Sequence, residues 1–174
     1  FRDVSPYGEF WTALRAEGRL LADRSPETLR WRLADPDMTD RPLVLAFNRG
    51  HAITGYAMAM MAKANILEAP VLDILDLEAL ADDNEAIPAL LQGLIGAARQ
   101  MGAAKLRLQT VSPRLLARLG ALARNARREG GWGHCHVRFK PGGPDPALWS
   151  PTPYDGDYAT CLRPVPVGAG KQGA

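Results

Sequence analysis

Residues 69–101 do most to limit what this chain can fold into. Val71-Leu72-Asp73-Ile74-Leu75-Asp76-Leu77 is apolar on both alternating faces, as a strand buried in mid-sheet must be. Beyond a polar connection, Ile87, Leu90, Leu91, Leu94, Ala98 and Met101 recur at helical spacing. The stretch predicts a buried strand, a turn, and a helix packed back on the sheet. In open α/β sheets ligands gather at the carboxyl ends of strands, where helix N-termini offer N–H groups. The connection at 78–87 is therefore the first place to expect a site.

The flanking sequence extends this unit. Ser5-Pro6 and Ser25-Pro26 each pair a helix cap with a first-turn proline, predicting helices through Phe10, Trp11 and Leu14 and through Leu29, Trp31 and Leu33. The second ends before Asp35-Pro36, since a residue preceding proline avoids helical angles. Arg41 to Phe47 and Ala52 to Lys63, joined by Asn48-Arg49-Gly50, predict an antiparallel hairpin whose second arm has a small outer face of Gly55, Ala57 and Ala59. Lys105 to Thr110 alternates as a strand with one wet face. Ser112-Pro113 then opens a helix through Leu115, Leu119, Leu122 and Ala126, which Gly130-Gly131 ends. Strands are expected at 132–139 and 157–163. The sum is an α/β protein with a mixed central sheet flanked by helices, since hairpins force antiparallel pairing and a strand–helix–strand crossover forces parallel pairing. One domain is expected over residues 1–166, followed by a disordered tail at 167–174.

Composition narrows the partners. A formal charge of +2 on 174 residues is too small to predict nucleic-acid binding. No apolar run approaches the roughly 18 residues of a membrane helix, and Phe1 is followed by charge, so no membrane partner is expected. Cys135 and Cys161 match neither metal nor disulfide spacing, and a cytoplasmic protein is the expectation. A chain beginning on Phe is expected to be a piece of a longer one.

Two local texts, Asp23-Arg24-Ser25-Pro26-Glu27-Thr28-Leu29-Arg30-Trp31-Arg32 and Asp155-Gly156-Asp157, together with the element order over about residues 5 to 163, resemble the GNAT superfamily of acyl-CoA-dependent N-acyltransferases. The resemblance implies that strands 71–77 and 105–110 splay apart and that acetyl-CoA or another acyl-CoA lies in the gap. Its pantetheine would run beside Leu75 and Leu77, and its pyrophosphate would rest on backbone N–H groups at Asn84, Glu85, Ala86 and Ile87. Arg114 would recruit the 3′-phosphate, and a small-molecule amine would be the acceptor. The resemblance also places a first strand upstream of the first helix, so that an upstream domain or a second subunit completes the protein.

The connection departs from the family pattern of Gln or Arg, two residues, Gly, one residue, then Gly or Ala. Leu80-Ala81-Asp82-Asp83-Asn84-Glu85-Ala86 has no glycine and three carboxylates. Glycine lets backbone approach a phosphate. A carboxylate about 4 Å from one costs about 4 kcal/mol at an effective dielectric near 20. The three acids can instead serve the helix N-terminus, which favours negative charge.

Asp73 and Asp76 interrupt the apolar strand and, three apart, are expected on opposite faces. Either buried carboxylate suits a general base on an amine, with Asp73 the deeper, and either can simply pair with arginine. Active family members place a tyrosine acid on the helix after strand 105–110. Residues 113–129 contain none, which leaves Tyr154 or Tyr56. His134 and His136 share a strand face without a third ligand, so no metal is expected. Two functions stay open: an N-acyltransferase moving an acyl group from acyl-CoA to an amine, and a non-catalytic module serving as the binding or scaffolding half of a larger protein.

Overall fold

The structure, a computed structural model, describes residues 2–36, 38, 40–62, 67–110, 112–127 and 138–156. The expected strand at 157–163 and nearly all of that at 132–139 lie outside these, as do Cys135, Cys161, His134, His136 and the 167–174 tail.

Three serine caps act as the sequence predicts. Ser5, Ser25 and Ser112 Oγ accept the N–H of Gly8, Thr28 and Leu115, opening α1 (Pro6–Ala16), α2 (Pro26–Leu33) and α4 (Pro113–Arg118), each with proline in its first turn. The last of these is shorter than expected. Gly120 takes a positive φ of 63°, which ends the α-helix, and Gly120–Asn125 continues as a 3₁₀ turn.

The four strands are β1 (Leu43–Arg49), β2 (Ala52–Ala62), β3 (Val71–Ala79) and β4 (Lys105–Leu108), in spatial order β1-β2-β3-β4. β1·β2 and β2·β3 are antiparallel and β3·β4 is parallel, with α3 (Ala86–Gln100) as the crossover. Every residue of β3 is buried, as its unbroken apolar run demands.

Helices cover both faces. On one, Leu90, Leu91 and Leu94 of α3 pack on Ala57, Ala59, Leu72, Ile74 and Leu77. The small face expected to look outward is thus the one α3 covers. A Cβ on Gly55 would lie 3.0 Å from the Cβ atoms of Ala79 and Ala86, so the missing side chain lets the start of α3 close on the sheet. On the other face Tyr7, Phe10, Trp11 and Leu14 of α1 meet Tyr56, Met58 and Leu75. The rings of Tyr7 and Phe10 stand edge-on to Tyr56, with centroids 5.4 and 5.8 Å away.

Two irregularities shape the site. Between Met58↔Asp76 and Ala59↔Ile74 the register slips by one, leaving Leu75 as a bulge with no opposite residue. The bulge inverts the face parity of the rest of the strand, so Asp73, Asp76 and Glu78, opposite Met60, Met58 and Tyr56, all share the α1 face. The expectation that Asp73 and Asp76 point to opposite faces is therefore corrected: a period of two does not survive an inserted residue. Parallel pairing runs from Val71↔Lys105 to Ile74↔Leu108 and stops there, while β3 continues unpaired by β4 to Ala79.

Candidate functional site

β3 carries a row of three acids along its α1 face, and each meets a different arginine. Asp73 is held by both Arg107 Nε and Nη2 at 2.7 and 2.8 Å across the parallel pair. Asp76, without exposed surface, takes Arg24 Nε and Nη2 at 2.8 and 3.1 Å, the Thr152 hydroxyl at 2.7 Å, and the Tyr56 hydroxyl. Glu78 Oε2 accepts from Arg19 Nη1 at 2.8 Å. Glu78 Oε1 is buried and has no hydrogen-bond partner; Arg24 Nη2 lies 4.0 Å from it. Burial first, and the charge of Asp76 second, push the Glu78 carboxyl up to about 7, against the opposing pull of Arg19 and Arg24.

Glu78 lies where β3 has lost β4. Around it Arg19, Leu77, Ile87, Arg114, Leu115, Arg118 and Ser150 line a cavity of about 10 Å³, the space of a single water. Arg118 fills the remainder of the wedge. Its Nη1 donates to Ala79 O at 3.0 Å and its Nη2 to Leu80 O and Asp83 O, both at 2.8 Å. Burial and the nearby charges of Arg19 and Arg114 lower its pKa. On the α1 side, Trp11, Arg15, Arg19, Leu21, Asp23 and Ser25 line an open cleft of about 500 Å³. Arg19 belongs to both walls and stands between the cleft and Glu78.

The connection from β3 to α3 is closed by acids. Ala81 N–H donates to Glu17 Oε1 at 2.6 Å, and the N–H groups of Glu85 and Ala86 donate to Asp83 Oδ1 at 3.1 and 3.2 Å. Asp83 also takes Arg49 Nε and Nη2 at 3.1 and 3.2 Å and the Thr54 hydroxyl at 2.6 Å. Arg49 foremost, with Thr54 and the Glu85 N–H assisting, draws the Asp83 carboxyl down to about 2. Asp82 and Asn84 are exposed, and exposed Glu85 pairs with Arg49 at 2.6 Å.

A mixed α/β fold of this kind, a central mixed sheet flanked by helices, has similar counterparts among solved structures. An aminoglycoside acetyltransferase from an uncultured soil metagenomic sample is similar at 17% identity and a TM-score of 0.52, over 79% of this chain and 95% of that one. A second aminoglycoside acetyltransferase from such a sample, in complex with sisomicin, is similar at 16% identity and a TM-score of 0.53, over 78% and 90%. The ribosomal-protein-alanine N-acetyltransferase of Brucella melitensis biovar Abortus 2308 is similar at 17% identity and 0.51, over 78% and 96%. The fold is that of the GNAT acetyltransferases. No family model and no curated protein matches the sequence itself.

Within this GNAT fold the expected site residues divide. Leu77, Ile87 and Arg114 come together at the cavity beside Glu78. Leu75 turns instead into the α1 core, and Ala86 gives its N–H to Asp83. Tyr154 is engaged elsewhere: its hydroxyl donates to Asp23 O at 2.9 Å, and its ring lies under the guanidinium groups of Arg24 and Arg32 at 4.8 and 4.1 Å. Burial is the main reason its pKa rises to about 12.

The two texts that carried the resemblance are thus knitted together. Arg24 meets Asp155 at 3.0 Å, and Arg32 donates to Tyr154 O at 2.7 Å. Glu78 is not among the residues expected from sequence, because it reads as the polar end of a strand. Its spacing of two from Asp76 is the signal that places it on the same face. No cluster of metal-ligating side chains occurs among the described residues, and no helix there is long and apolar enough to cross a membrane.

Proposed function

We propose that this chain is an N-acyltransferase of GNAT fold in which Glu78 takes the proton from an amine acceptor. The observation that carries the reading is the free oxygen of Glu78, buried at the open end of β3 and backed by a carboxyl pKa of about 7. A base poised near the working pH both holds and releases a proton readily. The amine would approach through the cleft between α1 and residues 21–25, where the Asp23 carboxylate attracts its positive charge. Loss of one proton to Glu78, directly or through one water, frees the nitrogen lone pair to bond to the carbonyl carbon of an acyl thioester; the C–S bond then breaks and the sulfur leaves as the thiol, taking up the second proton shed by the nitrogen.

The fold implies acyl-CoA as the donor, but the residues at the start of α3 do not fit its diphosphate. The amides of Ala81, Glu85 and Ala86 already serve Glu17 and Asp83, and the connection offers no glycine. No role is therefore assigned to the nucleotide.

Acyl transfer from short thioesters to a panel of primary amines tests the reading. Glu78→Gln is expected to lower the rate at least about 10²-fold and to abolish its rise with pH near 7, while the far-ultraviolet spectrum is unchanged. Equal rates in variant and wild type would overturn it. The filled wedge favours a second reading, a non-catalytic GNAT module, which absence of transfer to any amine would support.

A further inference from the structure

The amides of the β3–α3 connection are bonded to two carboxylates, one from the end of α1 and one from the connection itself. Glu17 reaches in from the end of α1 to Ala81, and Asp83 folds back on Glu85 and Ala86. The groups a phosphate would otherwise recruit face the same acids: Arg49 and Thr54 are bonded to Asp83. Arg118, one of three arginines at the wedge with Arg19 and Arg114, donates to three main-chain carbonyls, one of them that of Asp83.

A phosphate oxygen and a carboxylate oxygen accept the same N–H and guanidinium donors. A diphosphate at this position must therefore displace two anions already seated there, and once displaced they remain beside it as like charges. From these contacts we infer that Glu17 and Asp83 are resident anions in the diphosphate position, so that an acyl thioester used by this chain is selected without its nucleotide. Acyl-pantetheine thioesters are then accepted as well as acyl-CoA. The choice of donor rests on the acyl-transfer reading; closure of the α3 N-terminus does not.

The test monitors the amide resonances of Glu85 and Ala86 in the full chain while acetyl-CoA, inorganic pyrophosphate or S-acetyl-pantetheine is added to millimolar levels. The expected result is that these amides stay fixed with all three, and that acetyl-CoA and S-acetyl-pantetheine bind within about threefold of one another. Movement of both amides with acetyl-CoA or pyrophosphate in the wild type would overturn the inference. So would a preference for acetyl-CoA beyond roughly tenfold, about 1.4 kcal/mol.

Asp83→Gly removes the resident acid and supplies the missing glycine; it is expected to gain a pyrophosphate-dependent shift at the two amides. Should that variant lose its helix signal, Asp83→Ala, which frees the two amides without the backbone freedom of glycine, replaces it. A folded variant with no such gain counts against the inference. Failure of acyl transfer with every thioester, while the amides stay silent, sinks the Glu78 reading and leaves the closure standing.

Discussion

Arg24 has no exposed surface, and its guanidinium satisfies Asp76, Thr152 and Asp155 together. Removing one member of such a set leaves an uncompensated buried charge. Asp76→Ala is therefore expected to cost about 3–5 kcal/mol, read from the midpoint of urea unfolding, whereas Asp3→Ala, losing only an exposed pair with Arg30, should cost under about 1 kcal/mol. Glu78 behaves in the opposite sense to an ordinary paired acid. Its folded pKa of about 7 lies above the unfolded value, so the folded chain binds the proton more tightly. That stability is fully present below the unfolded pKa of about 4.3 and is lost as pH rises through about 7. Unfolding free energy measured from pH 4.5 to 7.5 should fall by up to about 3 kcal/mol in the wild type and stay nearly level over this window in Glu78→Gln.

Among the elements, α3 and the β2·β3 pair decide the geometry of the wedge. Gly55→Ala would place a methyl 3.0 Å from Ala79 and Ala86 and 3.2 Å from Leu90. Overpacking of this kind costs about 1–3 kcal/mol, and calorimetry should show a lower Tm with helix content retained. The elements themselves were legible in the sequence wherever a local signal sets them. Ser-Pro pairs marked three helix starts and the double-sided apolar run marked β3 as central; the hairpin was legible too, but its turn falls at Gly50-His51, because Asn48 and Arg49 still pair with Ile53 and Ala52. What could not be read is non-local. The bulge at Leu75 has no side-chain signature, yet it moves Asp76 onto the face of Asp73 and brings Glu78 to the wedge. The partners of these acids, Arg107, Arg24 and Arg19, stand at separations that only the completed sheet brings together.

At the scale of the whole molecule, β2 and β3 each pair on both sides, whereas β1 and β4 pair on one among the described residues. Native-state hydrogen exchange should accordingly be slowest for amides of Ala57 to Ala59 and Leu72 to Ile74, and should speed up outward to Val44 and Arg107. The outermost tie is residues 149–155, clasped to the loop after α1 through Leu20, Ala22 and Arg24. Arg24 lies 52 residues from Asp76 but 128 and 131 from Thr152 and Asp155. A nascent chain emerging from the ribosome can form the first of these bonds early. It must wait until residues 152–155 have emerged to complete the ring of acceptors around the guanidinium, so the network closes only once synthesis has passed that point.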